Sequence, residues 1–577
     1  MKDPMQTIKE ILSERLRAAF AAAFPEADLS ALPLDAVPAA GESFGDYQCN
    51  AAMAASKLLR QPPRAIAEKA VARLDASGLL ARAEIAGPGF INLTLSDDAL
   101  ARHLEALQAD ALLGVPRPGN GKTVILDYSS PNVAKPMHVA HIRSTVIGDA
   151  LKRIHRALGY TVLGDNHLGD WGTQFGILIM GYRHFLDPKA LETSPVDELQ
   201  RVYVLSHQQC EEDPAWKDQA RAELVKLQAG DPENRALWQQ FIDLSLAEFN
   251  RIYARLGVSF ELVRGESFYH DALPGVIEKL QSFGLVRESE GALVAFLDDE
   301  KLPPCIVRKS DGGYNYATTD LATVFSREAE FHPDAIVYVT DERQQLHFRQ
   351  FFAVAKKAGA KTHLRHIWFG LMRLPEGLLS TRKGTAIKLD LLLDEAERRA
   401  LEIVKTASPD MPEDQQLAVA RAVGIGAVKY ADLSQNPQSA VTFTWEKALA
   451  MDGNSAPYLQ YAVARIASVI DKHQERFPGV DFMQEPISLD SPHARRLALR
   501  LARHADAVLD AAAQEKPSLL ADHLYDLSQA YSSFYQNVPF LKAEAGLRES
   551  RVRLCDLAAQ ILRHGLSLLG IDTPERI

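Results

Sequence analysis

Apolar residues at 139, 142, 146, 150, 154 and 158 recur at spacings of three and four, and Gly159 ends the run. That spacing predicts a helix with one buried face over about 139–158. Just before it, TVILDY (123–128) is a β-branched and aromatic run that reads as a short strand, and Pro131 and Pro136 hold the chain in a turn between the two. Apolar runs at 124–126, 335–339 and 367–371 alternate with helical patterns, as a parallel α/β sheet requires. Residues 180–265 interrupt the alternation with charged amphipathic helices and read as an insertion. Residues 1–114 combine a helical start, a loop around GESFGDYQCNAAM, a helix through 66–74 and a strand-like IAGPGFINLTL at 85–95; Pro/Gly-rich VPRPGNG (115–121) serves as a linker. After about 400 the pattern is helical with no clear strand, as at 458–470 and 495–513. The expected fold is therefore multidomain α/β: a small α+β domain over 1–114, a parallel-sheet core over 115–395, and an all-α domain over 396–577.

Composition narrows the class. A chain of 577 residues makes three or four domains, and its 47% hydrophobic content can fill their cores. It contains no uninterrupted apolar run of about 18 residues, so no membrane span is expected. The start, MKDPMQTIKEILSERL, is an acid-containing amphipathic pattern unlike a signal peptide, which points to the cytoplasm. Four scattered cysteines (Cys49, Cys210, Cys305, Cys555) lack the close pairs of a zinc knuckle and read as reduced core thiols. A net charge of −11 argues against nonspecific coating of nucleic acid but leaves room for a local basic track.

The chemistry concentrates where the strand at 123–128 hands over to the helix. His138 and His141 fall in its first turn, beside backbone N–H groups with no partner within the helix, where a phosphate of ATP can be gripped. A zinc site of the HExxH type needs histidines four apart with a glutamate between, which is absent. GNGKT (119–123) looks like half of a P-loop, but position 116 is proline and the segment enters a strand. Two histidines satisfied inside an ordinary helix remain the plain alternative.

SSPNVAKPMHVAHIRST (129–145) resembles the HIGH signature of class I aminoacyl-tRNA synthetases, and its flanks resemble the arginyl-tRNA synthetase family in particular. The third signature position departs from the common glycine and is Ala140, which in this fold packs under the adenine. TVLGDNHLGDWGTQFG (161–176) also matches the family; its glycines, Gly169 among them, permit close backbone approach to a nucleotide or amino acid. The resemblance implies a Rossmann-like catalytic domain that activates L-arginine with ATP, Mg²⁺ arriving as the ATP chelate and no protein-bound zinc. The adenylate then passes its arginyl group to tRNA(Arg).

Such a pocket must meet a guanidinium, always charged and carrying five donors in a planar fork, with carboxylates and other acceptors. Tyr316 and Asp320, in YNYATTD (314–320), match the family positions for the arginine side chain, although Thr318 or Asp320 is equally a plausible helix cap. Asp127 adds a second negative charge near the cleft, Ser130 and Asn132 hold the α-amino group, and Gln344 completes the polar shell. LLSTRKG (378–384) resembles the family's degenerate KMSKS loop, so Ser380, Arg382 and Lys383 are assigned to the triphosphate, with Arg382 and Lys383 acting by charge. Relatives generally need tRNA bound before activating the amino acid. Tyr458, Tyr461, Tyr531 and Tyr535 match places where the family stacks anticodon bases, though helical spacing alone fits half-buried packing residues as well. Arg465, Arg495, Arg496, Arg500 and Arg503 are positioned to follow a phosphate backbone. GPGFINL resembles the segment that meets the tRNA elbow, with Phe90 and Asn92 as contacts. A monomeric arginine–tRNA ligase is thus expected, against a class I synthetase for another amino acid and a tRNA-binding paralogue without catalysis.

Overall fold

The computed structural model describes residues 5–374 and 387–577. Two compact units result: Gly119–Ala450 with Leu568–Ile571, and Met1–Pro118 with Met451–Ser567 and Asp572–Ile577.

The first unit is built on four parallel strands: β1 (Thr123–Asp127), β2 (Thr161–Asp165), β3 (Ala335–Asp341) and β4 (His363–Phe369), in the order β4-β3-β1-β2. Asp127 is level with Tyr338 on one side and with Asp165 on the other. Helix α1 (Val139–Ala157) connects β1 to β2; helices α2 (Tyr316–Phe331) and α3 (Gln345–Lys357) flank β3 in sequence. Side chains alternate across a strand. Ile125, Ile336 and Tyr338 therefore meet Leu321 and Val324 of α2 and Phe348, Phe351 and Val354 of α3 in one continuous core. Helix α1 covers the other face, where Gly148 allows Tyr128 to approach: a Cβ at Gly148 would lie 2.2 Å from that ring. The connections leave β1 and β3 in opposite directions, which opens a crevice beyond the strand C-termini between them.

Between β2 and β3 stand the expected helices of the insertion, the longest being Pro232–Leu256. A three-stranded antiparallel sheet, Val286–Ser289, Ala292–Ala295 and Cys305–Arg308, also lies there; charged VRESEG hid its first strand from pattern reading. β4 ends at Phe369, earlier than the apolar run suggests, and a two-residue pairing of Met372–Arg373 with Val441–Thr442 is the strand structure that the helical pattern after 400 conceals.

In the second unit, the strand-like run at 85–95 is the end of a hairpin, Leu80–Ala86 with Phe90–Leu95, and the loop around 41–53 contains the strand Tyr47–Cys49 and the start of the helix Ala51–Leu59. This layer packs with the C-terminal helices through ion pairs: Arg495 reaches Asp46 at 2.8 Å and Asp97 at 2.7 Å. No helix among the described residues is long and apolar enough to cross a membrane.

Candidate active site

The loop from β1 to α1 holds three non-glycine residues in the left-handed region: Ser129 (φ 71°), Ser130 (φ 50°) and Ala134 (φ 60°). Each costs on the order of 1–3 kcal/mol and persists only when its surroundings over-determine it. Here they do. The Ser129 amide donates to Ser144 Oγ at 2.8 Å, and its hydroxyl bonds Thr145 Oγ1 and the Tyr253 hydroxyl, each at 2.8 Å. Ser130 and Ala134 amides donate to Asn166 Oδ1 and Ser245 Oγ. Gly169 lies directly against Asn132: the Asn132 and Gly169 backbones pair, and a Cβ at 169 would sit 2.0 Å from Asn132 Oδ1. Glycine at 169 thus serves close packing that sets Asn132, whose side chain stays exposed.

His138 caps α1, and the backbone N–H of His138 donates to His141 Nδ1 at 3.0 Å. That bond assigns the proton of neutral His141 to Nε2, making it a donor. The two rings lie 4.0 Å apart. Burial, then the neighbouring His138, pushes His141 down to about 4; burial and Lys135 lower His138. Both are neutral near pH 7, so they serve as hydrogen-bond donors at a helix N-terminus. Ala140 is exposed between them. Ser380, Arg382 and Lys383 lie outside the described residues. Just beyond that segment, Ile387 O accepts from Val139 N at 2.9 Å and Leu389 N donates to Met137 O at 3.0 Å, so the chain leaving it is bonded to the histidine signature.

Across the sheet, α2 runs antiparallel to β3 and starts at the same strand edge. Tyr316 opens it and is 71% exposed, and Asp320 sits one turn in. Asp320 Oδ2 lies 2.5 Å from Nε2 of His347, which follows β3 in the first turn of α3. Gln344, at the end of the turn after β3, is exposed. A second carboxyl joins Asp320: Glu266 is pushed up to about 7 by burial, with His167 opposing and Asp170 and Asp320 reinforcing the shift. Asp170 fastens the Glu266 segment, accepting from Ser267 N at 2.8 Å and Ser267 Oγ at 2.6 Å. Gly265 is what admits it, since a Cβ there would meet the Asp170 carboxyl at 2.2 Å.

Asp127 is the most enclosed of the residues assigned to arginine. Its Oδ2 accepts from Arg327 Nη2 at 2.6 Å and its Oδ1 from Ser130 Oγ at 3.1 Å, while Arg327 also bonds Asp165 Oδ2 at 2.8 Å. Asp127 is buried and shares the Arg327 guanidinium with Asp165, so one internal cation serves two carboxylates while Asp127 also holds the Ser130 hydroxyl. Glu266, His347 and Arg327 were not assigned from sequence. His347 follows Gln344 by three positions and Arg327 lies on the helix that Tyr316 opens, but their partners are distant in sequence; nothing local marks Glu266.

In the second unit, Tyr461 and Tyr535 are 36% and 38% exposed and bracket the Arg465 guanidinium at 4.6 and 5.1 Å from their ring centres. Tyr458 is half-buried beside Tyr525. Tyr531 is 1% exposed, a core residue, which corrects its assignment to base stacking. Asn92 is likewise buried and accepts from Gln48 Nε2 at 2.8 Å, so it braces the sheet; Phe90 is half-buried. Arg495 and Arg500 are held by acids, Arg500 by Asp526 at 2.9 Å, and Arg503 donates to Asp46 O. Among the described residues no group of three or more metal-ligating side chains is placed to hold an ion.

Comparison with known proteins supplies an independent line. The family model described as tRNA synthetases class I (R), catalytic domain, matches residues 103–445; those for the DALR anticodon binding domain and the arginyl tRNA synthetase N-terminal domain match 459–577 and 6–95. The chain is 44% identical over 550 residues to an arginine–tRNA ligase of Fusobacterium nucleatum, covering 95% of this chain and 96% of that one. It is 42% identical to that of Laribacter hongkongensis, covering 99% and 100%. The arginyl-tRNA synthetase structures of Plasmodium falciparum (TM-score 0.84, 26% identity) and Thermus thermophilus (TM-score 0.81, 28% identity) each cover 99% of this chain and are themselves covered completely. With the parallel sheet and the histidine pair at the start of the helix after its first strand, these matches over nearly its whole length make the chain a member of the arginyl-tRNA synthetase family.

Proposed function

We propose that the chain is an arginine–tRNA ligase that forms arginyl-adenylate in the crevice between β1 and β3 and transfers the arginyl group to tRNA(Arg). An arginine carboxylate oxygen attacks the α-phosphorus of ATP in line, the bond to the bridging oxygen breaks, and pyrophosphate leaves. A hydroxyl of the terminal adenosine of tRNA then attacks the arginyl carbonyl, and AMP leaves. No covalent enzyme intermediate is needed; the protein contributes positioning and charge.

Neutral His138 and His141 donate to ATP oxygens at the start of α1, with Ala140 and Gly169 beside the nucleotide. Arg382 and Lys383, with Ser380, approach the triphosphate from the segment whose exit is bonded to Met137 and Val139. Mg²⁺ comes with ATP as part of the substrate. Ser130 and Asn132 take the α-amino group, Asp127 orienting the Ser130 hydroxyl. Asp320 and Glu266 meet the guanidinium, Tyr316 closes over it, and Gln344 adds an acceptor. Tyr461 and Tyr535 around Arg465 offer stacking surfaces to anticodon bases, Tyr458 lies beside them, and Phe90 belongs to the elbow contact. The ligase acts as a cytoplasmic monomer of three functional parts, 1–114, 115–395 and 396–577.

The observation that carries this reading is the pair of carboxyls, Asp320 and Glu266, with no lysine or arginine partner among the described residues. Arginine-dependent ATP–pyrophosphate exchange, run with each proteinogenic amino acid and with and without tRNA, tests it. Exchange with arginine alone is the expected result. Exchange driven by another amino acid, or none under any condition, overturns it.

A further inference from the structure

Asp320 does not stand by itself. His347 reaches across from α3 with Nε2 2.5 Å from Asp320 Oδ2, and the two side chains are 32% and 22% exposed. The imidazole is wedged rather than free: its centroid lies 5.2 Å from that of Phe351 and 5.7 Å from that of Phe348, both members of the core beneath β3. Phe348 is in turn stacked at 4.1 Å on His366, whose Nε2 bonds Thr340 Oγ1 at 2.8 Å. A side chain so packed has little rotamer freedom, and it passes that rigidity to whatever it bonds.

We propose that His347 is a positioning residue for arginine recognition: its Nε2–H donates to Asp320 Oδ2 and holds the carboxylate so that Oδ1 faces the guanidinium. This rests on the reading of Asp320 as the guanidinium acceptor. An aspartate on a helix has two free torsions, and planar recognition of a guanidinium depends on the orientation of the carboxylate plane. An imidazole packed against Phe348 and Phe351 suits the task better than a long, flexible lysine would. It contributes one directed hydrogen bond from a rigid ring.

The test uses the full-length enzyme in arginine-dependent ATP–pyrophosphate exchange with tRNA present, comparing His347→Gln with His347→Met. The two replacements have similar length and flexibility and fill similar volume, but only glutamine carries an N–H. A hydrogen bond to a charged group sets the scale at about tenfold to a hundredfold. The arginine KM of His347→Met should rise by about that much, with kcat and the ATP KM moving less than about threefold, while His347→Gln should stay within about threefold of the parent in arginine KM. In an Asp320→Asn background the two replacements should no longer differ. Equal arginine KM values for Gln and Met overturn the positioning role. Asp320→Asn leaving the arginine KM unchanged overturns the reading beneath it, so the two failures are told apart.

Discussion

Two clusters of carboxylates sit at the same edge of one sheet and are treated in opposite ways. At the ends of β1 and β2, Asp127 and Asp165 share a guanidinium supplied from within, that of Arg327, at 2.6 and 2.8 Å and with its side chain 0% exposed. Farther out, Asp320, Glu266 and Asp170 face a pocket whose basic neighbours are imidazoles, His347 and His167. The first arrangement holds its own cation, whose removal would leave two buried carboxylates without a partner. The second is unfinished: among the described residues no lysine or arginine pairs with Asp320 or Glu266, which on the proposed reading leaves the cation to the substrate. A buried carboxylate is therefore not by itself a sign of a substrate site. What distinguishes the proposed binding cluster is the lack of a lysine or arginine partner among the described residues; Glu266 is raised to about 7 chiefly by burial, with Asp170 and Asp320 adding to the shift and His167 opposing it.

Removing the internal cation should produce the largest effect. Arg327→Met leaves Asp127 and Asp165 buried without a counter-charge, and breaking such a pair costs about 3–5 kcal/mol. Chemical denaturation should show that loss, with saturating arginine adding a similar increment to variant and parent if its site is the other cluster. A stability unchanged within about 1 kcal/mol would erase the distinction between the clusters.

Asp320→Asn is the complementary break. Here the fold should keep its stability, since the pocket loses a repulsive neighbour of Glu266, while arginine use drops by about 2–4 kcal/mol, or roughly thirtyfold to a thousandfold in kcat/KM. ATP binding, measured separately, should stay near the parent value. Loss of stability equal to that of Arg327→Met would mean that Asp320 is a structural acid as well.

Local signals made the frame of this molecule legible, and distant ones hid half of its site. The strand at 123–127, the turn built on Pro131 and Pro136, and the histidines opening α1 all lie within one short stretch, where periodicity and turn chemistry suffice. The Asp127–Arg327 ion pair was not legible because its two members lie 200 positions apart. Glu266 was invisible because its clamp, Asp170 on Ser267, spans 97 positions. Tyr531 and Tyr535 show a different limit. Four residues apart on one helix, they differ by only about 40° in direction, yet one is in the core and the other at the surface. Spacing gives the face, and only packing decides which edge of that face meets water.

The smallest of these effects is also the most specific to the unfinished cluster. With its carboxyl raised to about 7 by burial and by Asp170 and Asp320, against the opposing His167, Glu266 holds a proton in roughly half of empty sites at pH 7. A guanidinium in the pocket stays charged throughout and favours the carboxylate, so arginine binding should expel about half a proton at pH 7. The sign follows: the raised folded value means that the empty protein loses stability as pH rises from about 4.5 to about 7, while arginine affinity gains over the same approach and levels off above about 8. Between pH 6 and pH 8 the arginine dissociation constant should fall by about tenfold. Calorimetry in buffers of different ionisation heat measures the proton directly. Glu266→Gln should abolish its release and flatten the pH dependence, since an amide does not titrate. Proton release that persists in that variant would move the titrating group elsewhere and would detach Glu266 from the guanidinium, while leaving the contrast between the two clusters to rest on Asp320.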